Sequence, residues 1–172
     1  MAKLIYFLLF ALLFSSSAMA STWNYKLYES GKLAGSESLT MKRSGTYLLM
    51  EGKRIFARKN GMVESVYRMK TEAPLMKPLW LQWSRKGAKQ QGKSLKVKVE
   101  NSKLTWMHKG TKAEKGEEMD FPGDAGFFHS RLLGTSLALL QRYDRRRRGR
   151  QQFPVFLPSL DGKGRLSTLT MD

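Results

Sequence analysis

The chain is 172 residues long, contains no cysteine, and carries 31 Lys and Arg against 14 Asp and Glu, a net charge of +17. That length allows one domain with a real core and excludes two ordinary ones. The missing cysteine excludes a disulfide scaffold, so packing alone must hold the fold.

At the start, Lys3 supplies a positive n-region and residues 4–14 (LIYFLLFALLF) form an unbroken apolar run. Ser15-Ser16-Ser17-Ala18-Met19-Ala20 then ends in an A-x-A signal, the pattern of a secretory signal peptide. Eleven apolar residues fall well short of the ~20 that span a bilayer as a helix. Residue 21 is Ser rather than Cys, so a bacterial lipoprotein anchor is not indicated. The expectation is cleavage after Ala20, a periplasmic or secreted location, and one domain over residues 21–172. Lys3 is the leader's one charged residue, which leaves 30 basic against 14 acidic side chains, a net +16. Charge of this size steers a protein toward anionic surfaces. Outside the cytoplasm these are lipid head groups, lipopolysaccharide or acidic wall polymers. Nucleic acid is not an expected partner, because neither a helix-turn-helix nor a base-stacking motif is visible.

From Trp23 to His108 the chain reads as short strands of period two with turn residues between them. Trp23, Tyr25 and Leu27 share one face. A turn is expected over Gly31–Gly35, another at Ser44-Gly45, a third at Glu51-Gly52 and a hairpin at Asn60-Gly61. Two prolines interrupt the pattern in Thr71–Pro78. Leu95, Val97 and Val99 alternate with Lys96 and Lys98, and Asn101-Ser102 turns into Leu104, Trp106 and His108. Such alternation predicts antiparallel strands with one wet face, most simply an up-and-down meander. Thr111–Glu118, polar and charged, reads as a loop.

Asp124 is placed to cap a helix over about residues 125–143. Phe128, Leu132, Leu133, Leu137, Leu139, Leu140 and Tyr143 fall within one half of that helix, an apolar face wide enough to pack into a concave sheet. Phe153–Leu157 and Leu166–Met171 read as two further strands. The fold class is therefore mainly β with one long helix (α+β): a curved antiparallel meander, a half-barrel, with a helix in its concave face.

The opening Y-x-L-Y-x-x-G-K-x-x-G (Tyr25 to Gly35) and the late F-P-V-F-L-P (Phe153 to Pro158) carry a resemblance. With the leader, the meander and the late helix, the chain resembles bacterial periplasmic half-barrel domains, similar in architecture to the carriers that ferry lipoproteins across the periplasm. The resemblance implies the fold and the compartment, and it carries no catalytic residues.

Trp106, Phe128, His129, Leu132, Ser136 and Leu139 are the candidate lining of a cavity between helix and sheet. Methionines such as Met41, Met69 and Met107 tolerate varied apolar guests, so a lipid or other apolar ligand is the expected occupant. A filled core is the alternative. His129 and Ser136 on one helix would stand ~10 Å apart from the helical rise, too far for a nucleophile–base pair, and no G-x-S-x-G elbow is present. Glu117, Glu118, Asp120, Asp124 and His129 concentrate acidic groups without the spacing of a metal motif, so neither metal nor cofactor is expected. Arg145, Arg146, Arg147, Arg148 and Arg150 form the densest charge. They read either as a solvated loop or as a site gripping anionic surfaces, since guanidinium binds phosphate bidentately. These residues point to a non-enzymatic binding or carrier protein, with an envelope accessory protein acting through its basic surface as the alternative and a hydrolase third.

Overall fold

The computed structural model describes residues 20–58, 61–87, 90–109, 114–130, 132–144, 146–147, 149–161 and 164–171. Residues 1–19 of the leader, Asn60, Arg145 and Arg148 lie outside them. Eight strands run in chain order: β1 (Ala20–Glu29), β2 (Lys32–Ser44), β3 (Tyr47–Arg58), β4 (Gly61–Glu72), β5 (Lys77–Gly87), β6 (Gln90–Glu100), β7 (Lys103–Lys109) and β8 (Glu114–Asp120). Each pairs antiparallel with the next in one meander sheet that is not closed, with β1 and β8 as its edges. Beyond it come β9 (Gly126–Phe127), α1 (Leu133–Leu140), β10 (Gln151–Leu157) and β11 (Arg165–Met171).

Alternation sets the two faces of the meander. Leu39, Met50, Tyr67, Met69, Leu81, Leu95, Val97 and Leu104 point inward and are almost wholly buried. The other face is wet and laced by cross-strand ion pairs such as Arg68–Glu51 and Lys53–Glu64, each at 2.9 Å. Positive φ angles at Ser30 and Gly31, and at Asn101 and Ser102, close two-residue turns whose twist suits the flanking strands.

Several expected boundaries move. The first turn occupies Ser30 and Gly31 alone, and Gly35 lies inside β2 opposite Phe56. No turn occurs at Glu51-Gly52. Strand β3 runs straight through, because Gly52 is the gap over which the Tyr67 ring lies: a Cβ there would stand 2.1 Å from the ring carbons. The polar, charged stretch Thr111–Glu118 expected as a loop is β8 from Glu114 onward, in register with β7. Met119 faces inward opposite Leu104, and Lys103 meets Asp120 at 2.9 Å.

The long helix is the largest correction. Among the described residues of that stretch, only Leu133–Leu140 is helical. Gly126 and Phe127 instead pair in parallel with Val155 and Phe156, and the Phe128 N–H donates to the Phe156 carbonyl at 3.0 Å. Gly126, Phe127 and Phe128 thus satisfy their backbone against β10, a tertiary partner that helical periodicity cannot reveal. Asp124 does not cap α1; its carbonyl accepts from Arg142 Nη2. Strands β10 and β11 form where expected but belong to a second, three-stranded sheet ordered β11-β10-β9. That sheet and α1 cover the concave face, where Phe127, Leu132 and Phe156 join the core of the meander.

Candidate functional site

The N-terminus of α1 is held by the sheet, since its N-cap residue, Leu132, has no side-chain group to do so. The Leu133 N–H donates to Glu37 Oε1 at 3.3 Å and the Gly134 N–H to Tyr67 Oη at 2.7 Å. Tyr67 in turn donates to Glu37 Oε1 at 3.1 Å. These are the orphan amides every helix start leaves. Glycine is required at 134 for this approach, because a Cβ would lie 2.9 Å from the Tyr67 ring. Glu37 is 3% exposed. Its burial raises the carboxyl pKa above the usual value, against the pull of the Leu133 amide, Tyr67 and Arg54. Burial also pushes the Tyr67 phenol well up, with the Glu37 charge adding to it.

Glu37 belongs to a row. Across the sheet, Tyr25 is paired with Glu37, Glu37 with Arg54, Arg54 with Ser65, Ser65 with Arg85 and Arg85 with Lys93. Each stands two positions from a residue of the inward face, so the row crosses the concave side at one level. Trp83 Nε1 donates to Ser65 Oγ at 2.7 Å, and the Arg85 guanidinium lies 5.3 Å from the Trp83 ring centre. The guanidinium groups of Arg54 and Arg58 each lie 5.2 Å from the Phe56 ring, and Arg54 approaches Glu37 Oε2 at 3.9 Å. Lys93 meets Asp161 at 2.6 Å. That bond holds the Asp161 carboxyl below the usual carboxylate range, with Arg85 and His108 adding to it. Candidates chosen for apolar or nucleophilic character missed this row. Its signal in the sequence is a polar residue two positions from a core residue on five successive strands: Glu37, Arg54, Ser65, Arg85 and Lys93.

The six expected cavity residues are spread over several surroundings. The Trp106 ring packs tilted against that of Phe156 with centres 5.5 Å apart, and Phe156 meets Phe127 at 6.3 Å. Trp106 and Leu132 sit in the packed core, and the buried Leu139 lies over Gly126. Phe128 and Ser136 are half-buried. His129 precedes the helix, its ring 4.6 Å from that of Trp83, and its amide donates to Thr135 Oγ1 at 3.0 Å. Open apolar space lies instead beside the edge strand. Trp23, Tyr25, Met41, Leu137, Leu140, Gln141 and Tyr143 line a groove of about 650 Å³, in which Trp23 is 41% and Leu140 56% exposed.

Of the arginine run, Arg146, Arg147 and Arg150 are described, and all are exposed. Their loop is pinned. Tyr143 Oη donates to the Gly149 carbonyl at 3.2 Å, Gln151 Nε2 donates to the Asp144 carbonyl at 2.7 Å, and the Asp144 amide donates back to Gln151 Oε1 at 3.1 Å. Arg147, Arg150 and Phe153 line a hollow of about 360 Å³ there. Among the described residues, no group of three His, Asp or Glu side chains is placed to hold a metal ion, and no helix is long and apolar enough to cross a membrane. No family model, curated protein or solved structure matches the chain.

Proposed function

We propose that the protein is a non-enzymatic binding or carrier protein for an apolar or acyl-bearing ligand, working at the cell envelope outside the cytoplasm. The observation that carries this reading is the groove lined by Trp23, Tyr25, Met41, Leu137 and Leu140. Its volume of about 650 Å³ falls within the roughly 300–1,000 Å³ of small-molecule sites. Exposed apolar surface gathered in a concavity marks a binding surface more than scattered surface residues do. Met41 gives the wall an adaptable side chain. The secretory pattern of the first twenty residues supports the address. The test is titration with a fluorescent fatty acid. Saturable 1:1 binding, weakened about tenfold or more by Leu137→Glu through the cost of burying a charge and unchanged by Leu33→Glu, supports the reading. No binding by the wild type removes it.

The pinned arginine loop favours a second reading. With Arg146, Arg147 and Arg150 on one exposed turn, an accessory protein would dock on anionic lipids, polymers or partner proteins through this surface.

A further inference from the structure

On the carrier reading of the groove, on which this rests, we propose that the ligand is an anionic amphiphile. Its acyl tail lies along Trp23, Met41, Leu137 and Leu140, and its phosphate or carboxylate head group sits in the hollow lined by Arg147, Arg150 and Gln152. Groove and hollow meet at the short connection between α1 and β10. Tyr143 lines the groove, and its Oη donates to the carbonyl of Gly149 at 3.2 Å, one residue before Arg150. Asp144, next in the chain, is held through both its amide and its carbonyl by Gln151, which lines the hollow. The two linings are thus one hydrogen bond apart at Gly149, and one peptide step of about 4 Å plus that clamp apart at Asp144.

The chemistry of the two linings matches the two ends of one molecule. The groove wall is aromatic and aliphatic, with Met41 as its adaptable side chain. The hollow offers guanidinium groups, which bind phosphate and carboxylate bidentately, and the Gln152 amide as a further donor. At about 650 and about 360 Å³, each space falls within the roughly 300–1,000 Å³ of small-molecule sites. The loop backbone is also bonded to itself: Asp144 Oδ1 accepts from the Arg146 amide at 2.9 Å, and the Asp144 carbonyl from the Arg147 amide at 3.1 Å. These bonds fix the turn that carries Arg147, and a preorganised site spends less on ordering when its ligand arrives. A purely apolar ligand leaves the hollow unused and a free anion leaves the groove unused. An anionic amphiphile fills both.

Calorimetric titration of the full chain with dodecyl phosphate, dodecyl maltoside and inorganic phosphate, the detergents below their micellar concentrations, separates tail from head group. Dodecyl phosphate should bind about tenfold or more tightly than dodecyl maltoside, the gain expected of charge-assisted hydrogen bonds. Arg147→Gln/Arg150→Gln, at two exposed positions, should fold as the wild type and lose most of that preference while keeping its affinity for dodecyl maltoside. Lys86→Gln/Lys96→Gln removes the same charge at exposed positions of β5 and β6 and should leave the preference intact. Equal affinity for the two detergents, or a preference that survives the arginine substitutions, overturns the proposal; the groove still stands if Leu137→Glu weakens both. A preference lost equally in the lysine pair is general charge attraction and overturns it as well. Inorganic phosphate binding as tightly as dodecyl phosphate assigns the hollow to a free oxyanion and likewise overturns it. If neither detergent binds, the carrier reading itself falls and takes the proposal with it.

Discussion

Tyr67 and Glu37, on strands β4 and β2, are joined by a 3.1 Å hydrogen bond and together hold the first two amides of α1. The sheet thereby supplies the cap that the helix lacks in its own sequence, and the helix is fixed over the concave face through two side chains. Tyr67→Phe removes the acceptor of the Gly134 N–H and a donor to Glu37 while keeping the ring. We predict a loss of roughly 1–3 kcal/mol, the cost of leaving buried polar groups unsatisfied, read as a lower urea midpoint at unchanged slope. A loss below about 0.5 kcal/mol, the size of an ordinary surface substitution, would show that the helix docks without this bond.

Protonation of Glu37 should be visible in the pH dependence of stability. Its folded-state pKa lies above the ordinary value of 4.5 because burial disfavours the charge. Folding therefore favours the neutral form. This contribution is full below the unfolded pKa and is lost as pH rises through the folded one. Relative to Glu37→Gln, which stays neutral, the wild type should lose stability on going from pH 4 to pH 7. Asp161 behaves oppositely: Lys93 holds its pKa down, so its contribution is lost as pH falls through the folded value, and Asp161→Asn should remove that acid-side loss. Denaturant melts at several pH values check both signs.

Gly52 tests the packing of the same ring. A Cβ at that position would meet Tyr67 at 2.1 Å, whereas at Gly116 the nearest atom beyond its chain neighbours is 3.9 Å away. Gly52→Ala should cost about 1–3 kcal/mol or more through overpacking, and Gly116→Ala should be near neutral. Thermal melts of the two variants give the comparison, and equal melting temperatures would contradict the placement of Tyr67.

Much of the meander is legible in the residues because alternation and turn chemistry agree, as in Leu95-Lys96-Val97-Lys98-Val99 followed by Asn101-Ser102. Gly52 misleads because a glycine inside a strand and a glycine in a turn look alike until the cross-strand Tyr67 is placed. Residues 125–132 mislead for a different reason. Their apolar spacing fits a helix face, yet Gly126 and Phe127 are claimed by β10, about 30 residues later in the chain. The polar row needs register as well as phase: each of Glu37, Arg54, Ser65, Arg85 and Lys93 is visible as an inward polar residue on its own strand, but their alignment depends on the turn lengths and bulges between them. The apolar groove is assembled from β1, β2 and the end of α1, so no local pattern announces it.

The arginine loop should govern attachment to anionic bilayers. Arg146→Ser/Arg147→Ser is predicted to reduce co-sedimentation with phosphatidylglycerol vesicles and to leave that with phosphatidylcholine unchanged. The wild-type binding should fall as salt rises, since exposed charges are screened beyond ~8 Å at physiological ionic strength. Equal binding to both vesicle types would remove the electrostatic account.

The central claim, an acyl-bearing ligand in the groove between β1, β2 and α1, is tested most directly by NMR of the protein labelled with ¹³C at its methionine methyl groups. Met41 lines the groove, while Met62 and Met107 are 54% and 48% exposed elsewhere on the sheet. Titration with a fatty acid should shift the Met41 resonance saturably and leave those of Met62 and Met107 in place. An unmoved Met41, or shifts shared equally by all three, would contradict the claim.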